Sequence, residues 1–306
     1  MSEQPSQDAL FRASVVGAGE VAALFNASPY LTHFELWHRK NGTVATPDFN
    51  HVGEDGTPED ERIYWGVKLE AAIIDAAKER YGYTDREQVK HLTNGKGLGG
   101  HPDRRVICPK RGPGVLEIKT VDWLVRKSWG DEPPMHYLLQ SQAYQGLDGV
   151  AWGDVLVLVG GNKLERFCYD FRPKIYAEIE RRVEGFWQSV ASGQAPKPDY
   201  TRDGDTIREL NASPSDAVID LKGDNLAAIA AAEYQAGKEM EKQGKARAEA
   251  ALAELVDKMG DHNVALLDGF TFKATKVAAI AERTAEPGEI IKGRKSYCRY
   301  TVKELK

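Results

Sequence analysis

Gly100-His-Pro-Asp103, followed after ten residues by Gly114-Val-Leu-Glu117-Ile-Lys119, is the stretch on which the reading of this chain turns. Residues 101–108 and 114–120 read as strands, and Pro109-Lys-Arg-Gly-Pro-Gly114 suits a hairpin-like turn between them. Side chains alternate along an extended strand, so Glu117 and Lys119 share one face while Ile118 points into the core. Asp103 sits beside a proline at a strand edge. Two carboxylates meeting at one sheet edge, with an ammonium beside them, cost stability unless a cation neutralises them. Hard oxygen donors of this kind suit magnesium, with manganese as a substitute. Such an ion acidifies water and offsets charge on a phosphate in flight, and Lys119 can orient that water or stabilise the developing charge. Taken alone, the pattern reads first as a solvated, salt-bridged strand face; its neighbours shift the balance.

Outward from this centre, residues 62–80 predict an amphipathic helix, with Trp65, Leu69, Ala72, Ile73 and Ala76 facing the core and Gly82 ending it. Two shorter helical pieces precede it, over 19–25 and 32–40, broken by Asn26-Ala-Ser-Pro29. Residues 1–10 are expected to be loose, and 43–61 to form a loop. After the centre, Pro133-Pro134 lead into a helix over 136–147. Residues 154–159 and 163–170 read as a hairpin around Gly160-Gly-Asn162, and Pro173 opens a helix to about residue 192. The composition then changes. Residues 193–223 are polar, 224–259 are rich in Ala, Glu and Lys and read as helix, and strands follow over 266–277 and 295–302. The expected organisation is an α/β domain over 1–195 (a mixed sheet core flanked by helices), a linker over 196–223, and a C-terminal helical arm with a small β element over 224–306.

Composition bounds the function without choosing it. The 306 residues are 42% hydrophobic and 28% charged, enough for a sizeable core. The net charge of -5 and a pI near 5.9 weigh mildly against a protein that coats nucleic acid, though local potential matters more than the total. Cys108, Cys168 and Cys298 form no Cys-x-x-Cys pair, which argues against a disulfide framework, a zinc site or an iron–sulfur cluster. No apolar run approaches the ~20 residues of a membrane span, and the first residues lack the basic-then-apolar pattern of a signal peptide. The expected location is the cytoplasm, with no membrane partner.

Three further features accompany the centre: Trp65-Gly-Val-Lys-Leu-Glu70, Gln140 with Tyr144, and Val16-Gly-Ala-Gly-Glu-Val-Ala-Ala-Leu-Phe25 running on to Ser28-Pro-Tyr30 and Phe34-Glu-Leu-Trp37. In this order and spacing, from about Arg12 to Gln194, the chain resembles the YqaJ-like viral recombinase family, that of bacteriophage lambda exonuclease, within the PD-(D/E)xK nuclease superfamily. The resemblance implies a restriction-endonuclease-like fold and a catalytic core of Asp103, Glu117 and Lys119. Glu70 would join the metal site, Gln140 would lie on a helix near it, and the metal would be held by Glu70, Asp103, Glu117 and the Ile118 backbone carbonyl. It further implies substrate contacts from Arg12, Gly19 and Tyr144, to which position adds Arg104 and Arg105 of the basic group Arg104, Arg105, Lys110 and Arg111. The family carries serine where this chain has Gly19, although a glycine N–H at a helix start can still bind phosphate.

The implied activity is magnesium-dependent 5′ to 3′ digestion of double-stranded DNA ends, leaving single-stranded tails for an annealing protein in phage-type recombination. The implied setting is a bacterial host cell, phage or prophage encoded, and the implied assembly is a homo-oligomeric ring around DNA. Two rivals stand beside this: an endonuclease or single-strand exonuclease of the same superfamily, and a catalytically silent DNA-binding or assembly protein.

Overall fold

The strand that carries Glu117 and Lys119 lies in the middle of a five-stranded mixed sheet. The computed structural model describes residues 6–47, 60–213, 217–279, 281, 283–284, 290–291 and 297–304, so most of the loop expected over 43–61 lies outside the described residues. The chain forms two compact units, Met1–Pro214 and Ser215–Lys306.

In the first unit, helix α1 (Gln7–Ser14) and strand β1 (Val16–Gly17) lead to a 3-10 turn (Val21–Phe25) and helix α2 (His33–Lys40). Helix α3 (Glu61–Tyr81) starts where the Asp60 side chain accepts hydrogen bonds from the N–H groups of Arg62 and Ile63, and Gly82 ends it in the left-handed region. Strands β2 (Thr84–Asp85), β3 (Leu92–Thr93), β4 (Leu98–Gly100), β5 (Arg104–Cys108) and β6 (Gly112–Val121) follow. After β6 come helices α4 (Trp123–Ser128) and α5 (Met135–Asp148), strands β7 (Trp152–Val159) and β8 (Lys163–Asp170), and helices α6 (Pro173–Ala191) and α7 (Gly204–Leu210). The main sheet has the order β2-β5-β6-β7-β8, with β6 and β7 parallel and the other neighbours antiparallel. A smaller sheet, β1-β4-β3, lies beside it in the chain.

Alternation along β6 gives the sheet two working faces. Leu116 and Ile118 pack with Ile73, Ile74 and Ala77 of α3, together with Val106, Trp152 and Leu156. Val115 packs on the other side with Leu139, Ala143 and Tyr144 of α5 and with Ile179, Val183 and Phe186 of α6. Strand β7, Trp-Gly-Asp-Val-Leu-Val-Leu-Val, is covered on both faces, which is why it reads as a nearly continuous apolar run. Trp65, expected in the core, is instead 54% exposed, because the buried stripe of α3 runs through Ile73, Ile74 and Ala77, nearer its C-terminus.

Polar residues are enclosed in this core as well, Asp154 among them. Asp154 on β7 is fully buried and accepts hydrogen bonds from both guanidinium nitrogens of Arg111, at 2.8 and 2.5 Å, and from the Tyr83 hydroxyl. Arg111 also lies over the Trp152 ring, 3.7 Å from its centroid.

The segment 196–223 reads as a linker in the sequence; its residues 196–213 contain α7 and belong to the first unit. Thr32 donates from its hydroxyl to the buried Asp203 carboxylate, and Arg202 donates to the Ser28 carbonyl. The N-terminal residues expected to be loose include α1, whose Ser6 cap accepts from the Ala9 N–H.

The second unit contains helix α8 (Asn225–Met259), capped by Asp224 and stopped at Gly260. Its antiparallel sheet has the order β13-β10-β9, formed by β9 (Val264–Leu267), β10 (Phe270–Val277) and β13 (Tyr297–Glu304), and β11 (Arg283–Thr284) pairs with β12 (Ile290–Ile291). Of the apolar positions on α8, Met259 is buried whereas Leu226, Ile229 and Leu252 are exposed, so the helix is not anchored along its length by them.

Removing one partner from a buried ion pair leaves an uncompensated charge. Asp154→Ala should therefore lower unfolding stability by about 3–5 kcal/mol, read as a fall in urea midpoint at unchanged slope; an unchanged midpoint would show that Arg111 re-solvates freely.

Candidate active site

The site begins where the β5–β6 ladder stops. The last register pair is Arg104↔Leu116, and two residues further on Ile118 would face Pro102. Proline has no N–H, so it cannot donate to the Ile118 carbonyl. The Ile118 N–H is taken instead by the Asp103 carboxylate, at 2.6 Å. A residue's N–H and C=O point to the same side of an extended strand, so the Ile118 carbonyl is left facing the Asp103 side without its ladder donor.

Glu117 lies on the α5 face of β6, only 2% exposed. One of its carboxylate oxygens accepts from the Lys119 ammonium; the other, Oε2, is buried with no hydrogen-bond partner. Burial, then the Asp103 carboxylate, pushes the Glu117 carboxyl up to about 8 against the pull of Lys119. Burial also raises Asp103, with Lys119 and the Ile118 N–H opposing it. Burial disfavours the charged form of Lys119, but the carboxylates of Glu117 and Asp103 outweigh it and hold the ammonium protonated beyond its usual range. Glu70 of α3 is half-buried, and its carboxyl is raised by burial and then by Asp103.

This donor set fits a hard divalent cation: mutually repelling carboxylates, an orphaned buried oxygen and a carbonyl freed by proline. Among the described residues, no group of three or more His, Cys, Asp or Glu is already drawn together to hold one. Asp103 and Glu117 lean instead on the Ile118 N–H and on Lys119.

Residues 9–148 match the family model of the YqaJ-like viral recombinase domain, a span that takes in every one of these groups. Among solved structures the chain is similar to an alkaline exonuclease from Laribacter hongkongensis, at 16% identity over 64% of this chain and 95% of that chain, with a TM-score of 0.48. It is also similar to a phage related exonuclease from Haemophilus somnus 129PT, at 12% identity over 58% and 96% of the two chains, with a TM-score of 0.42. No curated protein matches the sequence.

Within the matched span, the other sequence-predicted residues divide into two groups. Gln140, Tyr144 and Gly19 come together. Gln140 lies beside Gly19, where a Cβ would stand 3.6 Å from its Nε2. Tyr144 is buried rather than presented to solvent, linked to the Gln140 side chain and the His101 backbone; burial and then Glu117 and Asp103 raise its hydroxyl. Its ring occupies the space that a side chain at position 100 would need, so Gly100 is required for this close approach.

The arginines are more scattered. Arg105 is buried, paired with Asp148 at 2.6 Å and donating to the Glu87 carbonyl, so its guanidinium is engaged within the fold. Arg104 pairs with Asp85. Arg12 is exposed on α1, and its carbonyl accepts from Lys40. Lys110 and Arg111 sit at the hairpin turn, eight or more residues of strand from Lys119, so at about 3.3 Å per residue they lie at the opposite end of the sheet. His101 is exposed.

The neighbour that sequence reasoning missed is Tyr137, whose ring centroid lies 5.2 Å from the Lys119 ammonium. Its only sequence signal was a place on the same helix as Gln140.

Glu117 makes the stability of the first unit depend on pH. Its carboxyl is raised on folding from an ordinary value near 4.5 to about 8. The folded state therefore holds a proton that the unfolded state gives up, and stability is full below about 4.5 and falls as pH rises toward 8. Thermal melts in EDTA should show this decline. Added magnesium or manganese, favouring the ionised carboxylate, should raise the melting temperature more at pH 8 than at pH 5, and Asp103→Asn should abolish the rise. A metal-induced rise of the same size at both pH values would refute the assignment.

Proposed function

We propose that the first unit is a metal-dependent deoxyribonuclease, an exonuclease acting 5′ to 3′ on double-stranded DNA ends. The observation that carries the reading is the junction of Asp103, Glu117 and Lys119 at the end of the β5–β6 ladder, inside a YqaJ-like viral recombinase domain. Glu70, Asp103, Glu117 and the Ile118 carbonyl would hold magnesium, or manganese in its place. Such an ion, when bound, acidifies the attacking water and neutralises charge on the phosphate.

The chain's own residues supply the remainder. Lys119 stays protonated, so it serves as a fixed positive charge beside the scissile phosphate rather than as a proton acceptor, stabilising charge that develops during in-line displacement. Asp103 fixes the end of β6 through the Ile118 N–H and so sets the position of both Glu117 and Lys119. Tyr144 and Gln140 back this arrangement from α5, and Gly19 next to Gln140 offers a backbone approach for a terminal phosphate. In this reading the product is a single-stranded tail for an annealing protein, and the enzyme works as a homo-oligomeric ring. The exposed Trp65 and Val67 of α3 and Leu124 of α4 supply apolar surface for such assembly.

The test is digestion of linear double-stranded DNA labelled at its 5′ or 3′ ends. In magnesium, wild type should release the 5′ label first, while end-free circular DNA stays intact. Lys119→Ala should slow the reaction by roughly 100- to 1,000-fold while still binding DNA. Survival of linear DNA with both magnesium and manganese would defeat the nuclease reading and favour a silent DNA-binding role.

A further inference from the structure

The positive charge of this acidic chain is gathered toward its C-terminal end. Of 41 Lys and Arg and 46 Asp and Glu in the chain, residues 269–306 hold nine and four, so the rest is more acidic than the total suggests. Strands β10 and β13 of the second unit lie in this stretch, and their register sorts the charges by face. Residues directly opposite in an antiparallel pair share a face, and successive residues alternate between faces. Phe270, Phe272 and Ala274 thus share one face with Glu304, Val302 and Tyr300. Thr271, Lys273 and Thr275 share the other with Lys303, Thr301 and Arg299. Strand β9 adds Leu266 opposite Thr271 and Val264 opposite Lys273 to this second face.

The two faces differ in exposure and in charge. Phe272 is fully buried, so its face is the covered one, while Lys273 and Thr275 are exposed on the other. The register positions of the open face include Lys273, Arg299 and Lys303 and no carboxylate. Lys303 and Arg299 each stand two residues from Thr301, the residue opposite Lys273, so the three cationic positions form a zigzag with diagonal steps of about 7–8 Å. Like charges gathered on one face without an acid repel one another, and a polyanion relieves that repulsion. Thr271 and Thr275 flank Lys273 on the same face and bring hydroxyl donors of the kind that contact phosphate. Leu266, 81% exposed, and the exposed Val264 border the row with apolar surface. A duplex hides the faces of its bases and offers little to apolar side chains, whereas a single strand presents both phosphates and unstacked bases to one sheet face.

Resting on the nuclease reading for the identity of the strand, we propose that the open face of the β13-β10-β9 sheet binds single-stranded DNA. Lys273, Arg299 and Lys303 address successive phosphates, and Val264 and Leu266 meet the bases. The strand it takes is the tail left when the complementary strand has been digested. The second unit thereby holds the enzyme on the molecule it has just shortened, through the strand that is not being cut.

The experiment titrates fluorescein-labelled oligothymidylate, and separately a labelled duplex, into the full-length protein in EDTA over a series of salt concentrations, so that binding is read without cleavage. The sheet variant combines Lys273→Gln, Arg299→Gln and Lys303→Gln. A control for total charge combines Lys238→Gln, Lys242→Gln and Lys245→Gln, all at exposed positions of α8, and melting checks that each protein is folded. For single strands each phosphate contact adds about 0.7 to the slope of log affinity against log salt. The sheet variant should therefore lose about 2 from the wild-type slope and bind oligothymidylate roughly tenfold or more weakly at low salt. The α8 variant should keep the wild-type slope, and all three proteins should bind the duplex alike. Lys273→Gln alone, at an exposed position, should lose about 0.7 and carries the test if the triple variant does not fold. A wild-type slope in the sheet variants, an equal loss in the α8 variant, or a duplex affinity that falls in step with that for oligothymidylate overturns the proposal. Digestion of linear DNA is scored separately. Cutting by wild type together with unchanged binding by the sheet variant removes the sheet alone, whereas a slope that depends on the sheet in a protein that does not cut keeps the sheet and removes the nuclease.

Discussion

Strand β6 outruns strand β5, and the first unit is organised around that mismatch. An antiparallel pair normally continues until both strands end, because each unpaired backbone group costs free energy. Here Pro102 cannot donate, and the carboxylate of the next residue replaces it on one of the two backbone groups of Ile118. One N–H is satisfied by a side chain and one carbonyl is released. The carboxylate is thereby fixed in place by the backbone it serves, and the two residues flanking Ile118 project together past the end of the ladder.

That arrangement needs support from both faces of the sheet. Ile118 is gripped from the α3 side by Ile73, Ile74 and Ala77, while Glu117 is enclosed from the α5 side, where Tyr144 packs against the glycine that precedes the His-Pro-Asp turn. Glu70 reaches the same electrostatic neighbourhood from α3. Carboxylates from α3, from the residue before β5 and from β6 thus share one electrostatic neighbourhood. Enclosing Glu117 with an orphaned oxygen works against folding, and such departures from local rules are expected where a site must be kept ready. Asp154 shows the contrast: it is as deeply buried, but Arg111 and Tyr83 meet both its oxygens.

Much of this was legible in the sequence. The long elements α3, α5 and α6 and the β7–β8 hairpin have periodic or two-sidedly apolar patterns that outlast local noise, and alternation along β6 placed Glu117 and Lys119 together. Short elements such as α1, α4 and the strands of the small sheet carry too few residues for a period to show. Position along the chain also misleads about charge. Arg105 looks available beside Asp103, yet Asp148, distant in sequence, captures it. Lys110 and Arg111 look adjacent to the site, but a hairpin sends its turn to the far end. Trp65 reads as core because it is apolar and on the helical stripe, whereas the stripe is buried only further along. Tyr137 was invisible as a site neighbour because nothing local ties α5 to the end of β6; the sheet crossover does.

Five arginines of the first unit are committed to carboxylates of the same unit. Arg86 and Arg105 are paired with Asp148, Arg104 with Asp85, Arg111 with Asp154 and Arg126 with Glu165. A polyanion approaching these five positions meets guanidinium groups whose charge is already answered from within, so each of the five contributes little to displacing the cations condensed on a nucleic acid. Any hold on a phosphate backbone then falls to cations outside these pairs, such as the exposed Arg12 of α1.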